Sequence, residues 1–233
     1  MSGAGRCRPM VGRAGPRYGS RVTRLGASTG LFSLACLVGC YGDVDTVFPE
    51  GLDPLEDNLA PALEGCPEGV TLREGERDAH VWVHARGCVP AGLTATWAAM
   101  RTPEVSVDRR QVDAWTVTQG TEPAYDFSYT VHNTVNQIIT VRYDMAWRHG
   151  LVEGDMDDPE LVAARWQKVA GSEVIAVLEG SALAYPIDET HTEIELIYRL
   201  DGLLRNPSDI RSFVEDYHAS IRAVATGAPL PDR

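Results

Sequence analysis

The chain has 233 residues, with 33 acidic and 21 basic side chains and a formal net charge of −12 at pH 7. That balance argues against a nucleic-acid partner, because phosphate binding needs a basic face. It also disfavours adsorption to anionic lipid by charge alone.

The charge is uneven along the chain. Arg6, Arg8, Arg13, Arg17, Arg21 and Arg24 precede Leu31, and no acid lies among them. An apolar run from Leu31 to Gly39 follows, too short for the roughly 20 residues that span a bilayer. A basic region, a short apolar core and small residues make the layout of a secretory signal. The run ends in Leu37-Val38-Gly39-Cys40, which resembles the bacterial lipobox. That resemblance implies loss of residues 1–39, a diacylglyceryl group on the Cys40 thiol and acylation of the new N-terminus. Each buried acyl methylene contributes about 0.8 kcal/mol, so two or three chains make a stable anchor where one does not. By likeness to enteric lipoproteins, Tyr41 in place of an aspartate implies the outer membrane of a bacterial envelope. The alternatives are an ordinary signal peptide or a buried N-terminal helix, and Met10 is a second candidate start.

Beyond the leader, 15 basic residues face 33 acidic ones, a net charge of −18. About 194 residues suffice for one domain with a core. Cys66 and Cys88 form an even pair in an exported chain, which favours a disulfide over two free thiols. Two lone cysteines without clustered histidines make a poor metal site, and no metal or cofactor is expected. Residues 40–77 carry Pro49, Pro54, Pro61 and Pro67 among many acids. They are expected to form a partly extended tether between Cys40 and a domain over residues 78–231. Nothing after residue 40 reads as a membrane span.

Within the domain, His80–Cys88 is rich in strand formers and Gly92–Arg101 predicts a short helix that stops at Thr102-Pro103. Period-two alternation follows. Tyr125, Phe127, Tyr129 and Val131 share a face, as do Ile139, Val141, Tyr143, Met145 and Trp147, and as do Ile194, Leu196, Tyr198 and Leu200. One apolar face at period two predicts a half-buried antiparallel sheet. Weaker stretches around Trp115, Trp166 and Ile175 bring the total to about seven strands. Asn206-Pro207-Ser208-Asp209 then predicts a capped helix start. Ile210, Phe213, Val214, Tyr217, Ile221 and Val224 recur at helical spacing, and Gly227 closes a helix that must lie on the sheet.

The order strand, short helix, antiparallel strands, long C-terminal helix resembles the START-like superfamily, also called SRPBCC or polyketide cyclase/dehydrase-like. Val83–Val105 is similar to its first strand and helix, and Asp209–Pro231 to its closing helix. The resemblance implies an α+β helix-grip fold, with a curved sheet wrapped around the long helix and a cavity between them. A lipocalin-like barrel is the rival architecture, but it needs no helix after the first strand.

On that fold Trp115, Tyr129, Tyr143, Trp147, Trp166, Tyr198, Phe213 and Tyr217 are candidate cavity residues, since large aromatic groups with polar tips suit a ligand pocket. Filling the core is the competing role for each. Arg165 and Glu179 are candidates for an inward pair that would recognise a polar group; the wet outer face is the alternative. His80 and His84 share a strand face and are expected at the surface. The acidic stretch Gly154–Glu160 lacks the spacing of a calcium loop and is expected to be solvated.

The expected function is that of a membrane-anchored module binding a hydrophobic or amphipathic small molecule. The alternatives are a cyclase/aromatase-type enzyme or a ligand-free envelope scaffold. Inward Arg165, Glu179 or a histidine at the pocket mouth favours the enzyme. A broad exposed apolar patch favours the scaffold.

Overall fold

The computed structural model describes residues 43–78, 80–202 and 206–232. The leader expected over residues 1–39 and Cys40 lie outside them. Among the described residues, no helix is long and apolar enough to cross a membrane.

Eight strands form one antiparallel sheet: β1 (Val70–Arg77), β2 (His80–Val89), β3 (Ala114–Gln119), β4 (Phe127–Asn136), β5 (Thr140–Gly154), β6 (Pro159–Gly171), β7 (Ile175–Asp188) and β8 (His191–Gly202). After β2 the chain leaves through α1 (Leu93–Met100) and a single 3-10 turn, Pro103–Val105. It re-enters at the far edge and meanders from β3 back to β8, which pairs with β2; the order is β1-β2-β8-β7-β6-β5-β4-β3. β1 and β3 remain edges, so the sheet is open and the barrel alternative is set aside. Helix α2 (Pro207–Ala225) lies against the inner face, packing on β2 and α1. This is the helix-grip architecture, with eight strands where about seven are expected.

The additional strand is β1. Its residues, VTLREGER, present only Val70 and Leu72 to the core, and the rest are Thr71, Gly75 and charged side chains. An edge strand needs one partner and gains from charge that deters pairing with other chains. It therefore lacks the alternation that marks the central strands.

Helix α2 forms where its sequence signals place it. The Asn206 side chain accepts a hydrogen bond from the Ser208 N–H at 3.1 Å, Pro207 takes the first position and Asp209 sits in the first turn. Gly227, at φ +75°, supplies the left-handed residue just beyond Thr226 that ends it. Ile210, Phe213, Val214, Tyr217 and Ile221 form its buried stripe.

The inner face of the sheet meets that stripe through an aromatic ladder. Trp147 and Trp166 stack with centroids 4.5 Å apart, Tyr129 lies 6.0 Å from Trp147, and Tyr217 lies 5.8 Å from Trp166. Space for the Trp166 indole comes from Gly180 on β7: a Cβ built there would overlap the ring carbons Cε2 and Cζ2. Beyond Trp147, His149 continues the stack at 6.2 Å with no exposure, and neither of its ring nitrogens meets a partner among the described residues.

The outer face of the sheet is covered over β2 and β5–β7. Residues 43–69, expected as a tether, run across it as a strap. Outward polar side chains hold the strap backbone: Gln167 Nε2 donates to Val47 O at 2.9 Å, Arg165 Nη1 to Asp53 O at 2.6 Å, and Leu55 N–H donates to Ser181 Oγ at 3.0 Å. Arg148 donates to the carbonyls of Phe48 and Pro49 and stacks over the Phe48 ring. His84, expected at the surface, is fully buried under this strap. Its Nδ1 accepts from Leu59 N–H at 2.9 Å, so its proton sits on Nε2, 3.0 Å from Glu56 Oε1. Extended backbone on a sheet face leaves its amides and carbonyls needing partners, and these side chains supply them.

The Cys66–Cys88 disulfide closes the strap onto β2, with Cα atoms 5.0 Å apart and a sequence separation of 22. In the chain-entropy model a loop of that length contributes about 3 kcal/mol. Cys66→Ala/Cys88→Ala is expected to lose about that much in urea unfolding; an unchanged midpoint would show that the strap is held by its hydrogen bonds alone.

Candidate functional site

One end of the sheet does not close on α2. There the strand ends of β4, β5, β7 and β8 diverge from the first turn of the helix and leave a cavity of about 310 Å³. This lies at the lower end of the roughly 300–1,000 Å³ common for small-molecule sites. Its walls are apolar: Val135 and Val141 from the β4–β5 hairpin, Leu178 from β7, Leu200 from β8, and Ile210 and Phe213 from α2. Tyr143 and Tyr198 close the inner end, and behind them a second chamber of about 20 Å³ reaches Ser106, Asn133 and Trp147. The polar groups are few: Asp108 and Gln111 from the loop after the 3-10 turn, Gln137 from the hairpin, and Asp209 from α2.

Burial pushes the Tyr143 phenol above its ordinary range, and the nearby Asp108 carboxylate adds to the shift. Tyr198 is raised by burial first, then by Tyr143 and Asp108. Both stay protonated at neutral pH, so each can donate a hydrogen bond to a ligand oxygen. Asp108 is itself paired with Arg110, Nε–Oδ1 3.1 Å, which also reaches Asp216 at 2.7 Å. No lysine, arginine or histidine lines the cavity among the described residues.

The structure divides the residues expected in the pocket into four sets. Tyr143, Tyr198 and Phe213 line the cavity, and Trp147 touches only the inner chamber. Tyr129, Trp166 and Tyr217 fill the core, buried to 2 % exposure or less. Trp115 lies on the β3 edge, packed against the core and away from the cavity wall. Arg165 and Glu179 face outward: Arg165 holds the strap, and Glu179 pairs across the sheet with Arg199, Nη1–Oε1 3.5 Å. The reason is the register. Trp166 and Gly180 face inward, so their neighbours in the two strands must face out.

Sequence reasoning missed Val135, Val141, Leu178 and Leu200 as lining, although their inward face was readable. What hid them was their position at strand ends, where the helix no longer covers the face. Asp108, Gln111 and Gln137 sit in loops and carry no periodic signal. Among the described residues no group of histidine, cysteine and carboxylate side chains could hold a metal ion. In the Gly154–Glu160 stretch, residues 155–158 form an exposed turn between β5 and β6 in which Asp155 Oδ1 accepts from the N–H groups of Asp157 and Asp158, each at 2.9 Å.

No family model and no curated protein matches the chain. Solved structures do. The human StAR-related lipid transfer protein 5 aligns at 12% identity over 73% of this chain and 88% of its own, with a TM-score of 0.49. The Zhui aromatase/cyclase from Streptomyces sp. R1128 aligns at 14% identity over 64% and 92%, with a TM-score of 0.40. The lipid transfer and protein localization domain of human StarD13 aligns at 12% over 70% and 85%, with a TM-score of 0.46. Likenesses this distant assign neither ligand nor activity. The class, a helix-grip domain with a cavity at the open end of its sheet, rests on the strand order and the helix placement described above.

Proposed function

We propose that the domain holds a small apolar or amphipathic molecule in the cavity beneath the start of α2, and that a lipid on Cys40 anchors it to the bacterial envelope. The cavity carries the first half of this reading. Its walls are mostly apolar with a few polar groups among them, the composition common to small-molecule sites. The lipobox-like Leu37–Cys40 supports the second half.

Leu178 borders both chambers, so Leu178→Trp fills the cavity while leaving the aromatic ladder in place. The neutral probe N-phenyl-1-naphthylamine is expected to brighten in the presence of the wild-type domain and to lose most of that signal with Leu178→Trp. Equal signals from the two proteins would reject the cavity as the binding site. For the anchor, Cys40→Ala is expected to leave the protein without acyl mass.

A further inference from the structure

The cavity opening and the start of the described chain lie at the same end of the sheet. β4 turns into β5 there through residues 137–139, β6 passes to β7 through residues 172–174, and α2 begins at Pro207. Gln137 and Val174 from the first two of these connections, and Val141 and Ile175 from the strand starts that follow them, line the cavity. The strap is tied down at this end too. Asp43 bridges Ser172, and Val44 N–H donates to Gly171 O at 3.0 Å. Ser172 is two residues from Val174 on the cavity wall.

Only Tyr41 and Gly42 separate Asp43 from Cys40. Three Cα steps of 3.80 Å span at most about 11 Å. A domain of this length has a radius of gyration of about 16 Å. A lipid on Cys40 is therefore on a leash shorter than the domain's own radius. The domain cannot turn its opposite end, with the β5–β6 and β7–β8 hairpins, to the bilayer.

The surface at the anchored end offers a second observation. Ile138 at the β4–β5 tip is fully exposed and Ile139 is 45% exposed. The run Asn136-Gln137-Ile138-Ile139-Thr140 carries no charge. An uncharged tip with two exposed isoleucines beside a cavity mouth suits contact with the uncharged depth of a bilayer. It does not suit attraction to anionic headgroups, which the acidity of the chain opposes.

We propose that lipidated Cys40 holds the cavity mouth against the membrane that carries the anchor, with Ile138 and Ile139 as the point of contact, so that ligand passes directly between cavity and bilayer. The inference rests on the lipid-anchor reading above and adds an orientation and a route to it.

The test uses the full chain, processed and lipidated by a bacterial host and reconstituted into phosphatidylcholine vesicles bearing doxyl-labelled acyl chains. An environment-sensitive fluorophore is placed on Ile138→Cys or, at the opposite end of the sheet, on the exposed Ile187→Cys. Quenching at position 138 is expected to exceed that at position 187 severalfold. An insert of about twenty glycine and serine residues between Gly42 and Asp43 is expected to remove most of that difference. Equal quenching at the two positions, stronger quenching at 187, or indifference to the insert overturns the orientation. Absence of acyl mass on Cys40 overturns the anchor reading itself, and the orientation falls with it. Acyl mass with the wrong quenching pattern leaves the anchor standing and removes only the orientation.

Discussion

Trp166→Ala is expected to lower the unfolding free energy by about 3–5 kcal/mol, the range for removing a large aromatic side chain from a packed core. The indole is 1% exposed, stacks on Trp147 at 4.5 Å and meets Tyr217 and Tyr198 at 5.8 Å. Its neighbours are rings fixed by their own stacking, so they cannot collapse into the space it leaves. One offset is visible. The indole N–H finds no hydrogen-bond partner among the described residues, and deleting an unmet buried donor relieves part of the loss. The lower half of the range is therefore the better expectation. Against a typical total of about 5–15 kcal/mol, that is a large share of the stability. Urea unfolding followed by far-UV circular dichroism measures it; a loss under about 1 kcal/mol would mean that the ladder is not close-packed.

Acid is expected to weaken the fold steeply below pH 6.5. Burial lowers the His149 pKa to about 3, assisted by the nearby Arg101 charge, and lowers that of His218 to about 4. His84 is lowered too, by burial first, with Glu56 opposing the shift. A histidine in the unfolded chain titrates near 6.5. Below that pH the unfolded chain takes up protons that the native state refuses, so stability falls as pH falls. Above it both states are neutral and the dependence vanishes. Each such group contributes up to about 1.4 kcal/mol per pH unit between 6.5 and its folded value. For His149 and His218 together the loss between pH 6.5 and 5 is about 3 kcal/mol. His149→Phe keeps a ring in the stack, removes the two unpartnered nitrogens and should flatten the pH profile by about one histidine's slope. A variant whose profile matches wild type would show that His149 does not control acid stability.

Most of the sheet was legible because its inner face is apolar at period two over long runs. Tyr143, Met145 and Trp147, or Ile194, Leu196 and Tyr198, could face only one way. Helix α2 was legible because Asn206, Pro207 and Gly227 punctuate it. The strap was not legible. Phe48, Leu52, Leu55 and Leu59 stand singly among acids and prolines, a pattern shared by disordered linkers, and what orders them is a set of side chains distant in sequence. The same fact misled the reading of His84, whose outward face could be inferred but not that another part of the chain would cover it. Arg165 and Glu179 were misplaced for a different reason, the register of β6 and β7, which turns Trp166 and Gly180 inward and these two outward. Within the site, the three aromatic residues that line the cavity look like the three that fill the core. The difference is that Tyr198 lies beneath the first turn of α2, where sheet and helix part, and Tyr217 lies further along the helix over the ladder; that is a property of the assembled layers and of neither local sequence.

The fit of Trp166 over Gly180 has a consequence for how this chain can change over time. Any side chain at position 180 would occupy space that the indole already fills, and any smaller residue at 166 opens a void over a position that has no side chain to fill it. Each single step therefore leads downhill in stability, although an exchange of bulk between β6 and β7 could restore the volume. The two positions behave as one heritable unit. They can drift together across relatives while each, taken alone, is held in place by the other.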